Sequence, residues 1–242
     1  MMHFLFRLPL LATVSVIASQ CDLSPRPGQM TGEVTGITCA NFSLADTTIG
    51  QCVLQCHIRD DCRVAYQSCE ESSCDCVLCH GVHAIDFTRH DTTFYLKGST
   101  VVTDAAVPPY QKWSIPGGGL SVGRVIRVRT VLSSKKLNLI LAQSNRDIAL
   151  LIITDLTSQT VLRQNRVGSR YGHAENNVPY FNFTAGQEVE VVVIVREDKY
   201  LVYFDSLEFF SFAHRNSDLE TIVFFEVNGS GSMGRIQSLY IS

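Results

Sequence analysis

Apolar and polar positions alternate at a spacing of two through much of the chain, most clearly from Pro179 to Arg215. Phe181 and Phe183 flank one polar residue, and a turn follows at Ala185-Gly186. Val189–Val195 is then a nearly continuous apolar strand, Arg196-Glu197-Asp198-Lys199 a charged turn, and Tyr200–Phe204 a second strand. Leu207–Phe212 is a third, after Asp205-Ser206. Aromatic and β-branched runs joined by short polar turns predict an antiparallel meander. A helix is disfavoured, because a run of valines would lose side-chain rotamer freedom in one.

The same texture extends upstream. Gly123–Arg129 alternates, Leu137–Leu141 and Ile148–Ile153 are apolar, and Gly234–Ile241 closes the chain with another strand. Many short strands, frequent turn signals and no helical stretch predict a mainly β fold over 110–242, an antiparallel sandwich. Ile148–Ile153 lacks polar alternation and reads as buried on both faces. Residues 100–109 end in Pro108-Pro109 and predict a stiff, extended linker.

Residues 21–99 read differently. Ile49–Cys56 predicts a short helix with Cys52 and Cys56 one turn apart on one face. Cys62–Tyr66 predicts an extended stretch, and Cys76–Leu78 with Thr93–Leu96 predicts a strand pair. All nine cysteines lie between Cys21 and Cys79, so this part forms a small disulfide-rich α+β domain of its own. At 242 residues the chain has room for two modest domains.

The first 20 residues have a short head with His3 and Arg7, an apolar body over Leu8–Ile17, and small residues Ala18 and Ser19. This layout predicts a cleaved signal peptide, hence a secreted, extracellular product with no membrane span after cleavage. A net charge of -3 with no basic stripe argues against a nucleic-acid partner.

Dense cysteine in an exported chain predicts disulfides. Cys76-Val-Leu-Cys79-His80-Gly-Val-His83 has the residue types for zinc or for a redox motif. Export argues against the first, and the lack of a βαβ setting against the second. An odd count leaves at least one thiol free or bridging to another chain.

The order C-x-x-x-C-x-x-x-x-x-C-x-x-A-Y, a later cysteine strand and a closing F-Y-L-K resembles a PAN/apple domain. The resemblance implies Cys56 paired with Cys62 and Cys52 with Cys76. It leaves Cys21, Cys39, Cys69, Cys74 and Cys79 unassigned.

From Trp113 the chain resembles galectins: Ile115-Pro-Gly-Gly-Gly-Leu120, Gly123–Arg129, Asp147–Ile153, F-x-F-x-x-G at Phe181–Gly186 and Phe212-Ala-His-Arg215 fall in the family's order. The resemblance implies a two-sheet jelly roll and binding of β-galactosides in a groove on one sheet, with no cofactor. Where that family reads D-I-A-L-H-x-N-x-R, this chain has Leu151, Ile153 and Asp155 at the three polar positions. Asn165, Tyr171 (as the stacking aromatic), Glu175 and Asn177 stand near the remaining contacts, so glycans or glycoproteins are the implied partners, at altered specificity. The competing reading is an extracellular protein-interaction module that docks partners through the apolar sheet face. Leu151 and Ile153 should face out of the sandwich, which predicts that the cysteine-rich domain or a partner chain covers that face.

Three N-x-S/T sequons, at Asn41, Asn182 and Asn228, are candidate glycosylation sites in a secreted chain. No H-E-x-x-H or EF-hand loop occurs, and no paired carboxylates stand in a recognisable setting, so neither catalysis nor metal binding is expected.

Overall fold

The computed structural model describes residues 28–42, 48–70, 73–89, 92–106, 110–133, 135–215, 218–230 and 234–242. The proposed signal peptide, Cys21 and residues 107–109 lie outside them.

The cysteine-rich module contains β1 (Gln29–Thr31), β2 (Glu33–Phe42), α1 (Ile49–His57), β3 (Val64–Glu70), β4 (Ser73–Asp86) and β5 (Thr93–Leu96). Its sheet runs β1-β5-β3-β4-β2. The segments expected to pair with each other, in β4 and β5, instead both pair with β3, which lies between them. Helix α1 starts because the Thr48 hydroxyl accepts from Gln51 N–H while the Gln51 side chain accepts from Thr48 N–H, satisfying two otherwise orphaned donors. Its buried face carries Cys52 and Cys56, bonded to Cys76 of β4 and to Cys62. Cys39–Cys79 staples β2 to β4 at directly paired positions, and Cys69–Cys74 closes the β3–β4 turn. Eight of the nine cysteines are thus joined.

The rest is a sandwich. Its strands are β6 (Ser99–Ala106), β7 (Gln111–Ser114), β8 (Val125–Val131), β9 (Lys136–Gln143), β10 (Ile148–Asp155), β11 (Thr160–Val167), β12 (Arg170–Tyr171), β13 (Glu188–Val195), β14 (Lys199–Phe204), β15 (Leu207–Ala213), β16 (Ile222–Ser230) and β17 (Arg235–Ile241). They form a front sheet, β12-β11-β10-β9-β16-β7, and a back sheet, β15-β14-β13-β8-β17-β6. Every pairing is antiparallel. Leu139, Leu141, Leu150 and Ile152 of the front sheet meet Val128, Val191, Val193, Val202 and Phe212 of the back sheet in one core. Burial of each such side chain contributes about 1.5–3 kcal/mol.

Two expectations change. Most of the stretch read as a linker is strand β6, paired with β17 from Arg235↔Ala106 to Ile241↔Ser99. Val101 and Val102 pack against the sandwich core, which gives this segment apolar area to bury that its Pro-rich end conceals. Phe181–Phe183, by contrast, makes no strand. Its alternation places Phe183 among Phe204, Phe209 and Phe181 as a ring cluster closing the sandwich edge.

The module sits on the outer face of the back sheet. Val82, Ile85, Phe94 and Leu96 share an apolar cluster with Val192, Ile194, Leu201, Tyr203 and Tyr240. The Val82 amide donates to Gly123 O at 2.9 Å, and the Tyr240 hydroxyl donates to Leu96 O. Gly81 and Gly123 let the two backbones touch, since a Cβ on Gly81 would stand 2.6 Å from Gly123 Cα. The expectation that the module covers Leu151 and Ile153 is therefore corrected: it covers the other sheet.

Candidate functional site

The outer face of the front sheet carries a groove of about 500 Å³. Strand periodicity builds its floor. In β10, Leu150 and Ile152 point into the core, while Ile148, Leu151 and Ile153 point outward; an irregularity between Ile148 and Leu150 restores the phase. Leu151 pairs with Ile140 of β9, and with Ala142 and Ile148 they form a second, smaller apolar cluster. Leu151 is only 4% exposed. Its own face shields it, through these neighbours and the longer side chains of the groove rim.

The rim is polar and charged. Arg166 on β11 lies 5.8 Å from the Tyr171 ring and donates through Nη2 to Arg146 O at 2.7 Å. Across the floor, Lys112 of β7 pairs with Glu226 of β16 at 3.5 Å and lies over the Phe224 ring. Asn138 Nδ2 donates to Asn228 Oδ1 at the far end. Tyr110 and Tyr171, 51% and 55% exposed, stand at the groove as aromatic surfaces open to solvent.

The four residues singled out from the sequence divide between two places. Tyr171 lines the groove. Asn165, Glu175 and Asn177 gather below it, around Arg163, on the core side of the sheet. The pairings Leu151↔Gln164 and Ile152↔Arg163 fix this: Gln164 shares the outer face with Leu151, and Asn165, one residue on, turns inward. Arg163 is 4% exposed and stacks over Phe210 of the back sheet, 4.6 Å from the ring centroid. Its Nε donates to Glu175 Oε2 at 3.1 Å, and its Nη atoms to Asn177 O at 3.0 Å and Asn177 Oδ1 at 2.6 Å. Arg215 joins Glu175 Oε1, His173 O and Asn165 Oδ1. Burial lowers the Arg163 pKa, and the adjacent Glu175 carboxylate opposes that shift. The network anchors the turn that carries Tyr171. Gly172 is required there, because a Cβ would collide with Asn165 Oδ1.

Asp155 also serves structure. Its Oδ1 accepts from Thr157 and Ser158 amides at 2.9 and 3.2 Å, and its Oδ2 pairs with Lys136 at 2.9 Å. Burial pushes its pKa up, but these partners outweigh burial and the net shift is downward.

Sequence reading missed Lys112, Arg146, Arg166 and Glu226. Arg166 was recoverable, since it lies two positions from Gln164 on the same face. Lys112 and Glu226 meet only through the non-local pairing of β7 with β16. Among the described residues no cluster of His, Cys, Asp or Glu has the arrangement to hold a metal ion. Among them too, no helix is long and apolar enough to cross a membrane.

Comparison with known proteins gives this arrangement a family. Residues 112–238 match the galactoside-binding lectin family. Bovine (Bos taurus) galectin-4 is 27% identical over 123 residues, 50% of this chain and 37% of that protein. Human (Homo sapiens) galectin-4 is 26% identical over 134 residues, 54% and 41% of the two chains. This chain thus spans about two fifths of the length of these curated relatives. Among solved structures, Caenorhabditis elegans galectin LEC-6 aligns with a TM-score of 0.49 at 15% identity, over 58% of this chain and 96% of that one. Chicken galectin 2 aligns at 0.46 and 17%, over 51% and 93%. With more than half of its length matching the family, the chain belongs to the galactoside-binding lectins, the galectins.

Proposed function

We propose that this protein is a secreted lectin whose front-sheet groove binds glycans at a specificity altered from that for simple β-galactosides. The observation that carries the reading is the groove itself: two exposed tyrosines and a charged rim over an apolar floor formed by Ile140, Ala142, Ile148 and Leu151. Apolar sugar faces pack on aromatic rings, and hydroxyls take fixed polar partners. Leu151, Ile153 and Asp155 at the positions of the family's polar triad favour ligands with more apolar surface, or with negative charge facing Arg146 and Arg166. Tyr171 is the contact residue in this reading. Asn165, Glu175 and Asn177 act by positioning it through Arg163 and Arg215. Four disulfides among the described residues support an oxidising destination. The PAN/apple-like reading of the module draws on its single helix, disulfide-bonded to a five-stranded sheet.

The alternative, protein docking through this face, draws on the same apolar cluster. Leu151 and Ile140 are 4% and 5% exposed, so the floor offers little apolar area to a flat partner surface, which favours the lectin reading. A glycan-array screen of the secreted protein with Tyr171→Ala beside it is the test. The expected result is a set of bound glycans whose signal falls at least about tenfold in the variant. A blank array from folded protein stripped of N-glycans shifts the assignment to docking.

A further inference from the structure

One sequon falls within the groove. Asn228-Gly229-Ser230 lies at the end of β16, and Asn228 is part of the groove wall. Its Oδ1 accepts from Asn138 Nδ2, so its own Nδ2, the atom to which an N-glycan is joined, takes part in none of the hydrogen bonds found among the described residues. The neighbouring strand β7 pairs with β16 only as far as Val227↔Gln111. Among the described residues Tyr110, next before Gln111, is exposed, and so is Ser230. Joining a glycan here would form a bond from Asn228 Nδ2 to the sugar's C1 and break the bond from C1 to the oxygen of a lipid diphosphate donor. The proton lost from Nδ2 passes to the released diphosphate or to solvent. The Oδ1 contact to Asn138 is retained.

We propose that Asn228 carries an N-linked glycan that rises from the front sheet and masks this chain's own groove. The inference rests on the secreted-lectin reading: the chain must enter the compartment where sequons are modified, and the groove must be the ligand site. A bulky, hydrated substituent at the groove wall puts its first sugar residues over the same face that a ligand needs. Tyr110, half exposed at the groove, supplies an aromatic surface for those sugars. Occupancy at Asn228 then sets what fraction of the protein is competent to bind, and the binding signal falls as occupancy rises.

The test uses the full chain secreted from a eukaryotic cell. Glycopeptide mass spectrometry reads occupancy at Asn228. Ser230→Ala removes the acceptor signal without touching the groove lining, and Asn182→Gln removes a sequon on an exposed loop as a control. Two readouts follow: glycan-array binding, and fluorescence of an environment-sensitive apolar dye, which reports access to the exposed rings of Tyr110 and Tyr171 whether or not the protein is a lectin. The expected result is Asn228 occupied, and Ser230→Ala raising array binding at least about tenfold together with dye signal, while Asn182→Gln changes neither. Enzymatic deglycosylation of folded wild-type protein should reproduce the gain, and it replaces the variant if Ser230→Ala fails to fold. An unmodified Asn228 in secreted protein, or unchanged dye access after the glycan is gone, overturns the proposal. Dye access gained with a blank array supports masking while sinking the lectin reading, so the two fail separately.

Discussion

On the back sheet, Val192 and Ile194 of β13 point away from the sandwich core and lie under the cysteine-rich module. On the front sheet, Leu151 and Ile153 of β10 also point away; Leu151 belongs to the apolar floor of the groove and Ile153 packs against that cluster. Both strands are nearly continuous apolar runs, with the alternation expected of a one-sided strand erased. The cause differs. One run is buried on both faces because a second domain covers it, and the other because neighbouring side chains on its own face close over it. A sequence pattern reports that an outer face is apolar; the rest of the molecule decides what covers it.

The largest expected effect separates the two faces with one chemistry. Val192→Asp buries a carboxylate between module and back sheet, where Arg127 opposite is already held by Glu190 and Gln29 O, and should cost about 4 kcal/mol or release the module. Urea denaturation would show a lost cooperative transition or a split one. Next is the network below the groove. Glu175→Ala leaves Arg163 buried without its carboxylate and should cost about 3 kcal/mol, with weakened ligand binding as the Tyr171 turn loosens. The matching change on the front face, Leu151→Asp, loses apolar burial but gains water and the nearby Arg166. It should cost only about 2 kcal/mol and leave the module docked. Equal losses for Val192→Asp and Leu151→Asp would refute the contrast between the faces. The smallest effect is at the interface edge: Tyr240→Phe removes the hydrogen bond to Leu96 O and should cost about 1 kcal/mol. Burial raises the Tyr240 pKa above its usual 10.0, so the folded state favours the neutral phenol. Its contribution is complete below about pH 10 and is lost as pH climbs toward the folded pKa, so Tyr240→Phe should flatten the alkaline fall in stability.

Much of this was legible in the chain. The strands β13, β14 and β15 are visible as apolar runs between polar turns, and α1 as two cysteines one turn apart. These features are local, set by period and by turn chemistry. The strand β6 was hidden because its partner β17 is 130 residues downstream and a Pro-Pro pair dominates its end. Asn165 and Gln164 illustrate the limit within the site. Adjacent residues on a strand face opposite ways, so a one-residue uncertainty in alignment decides whether a side chain meets ligand or core. Only the pairing Leu151↔Gln164 resolves it.

The central claim is that the front groove is the ligand site while the back face is occupied by the protein's own module. Amide hydrogen exchange tests it most directly, on protein lacking the Asn228 glycan, with and without a glycan selected on the array. Exchange should slow in residues 138–142 and 166–171, with 189–195 unchanged. Protection in the module or at 189–195, with the groove unaffected, would contradict it.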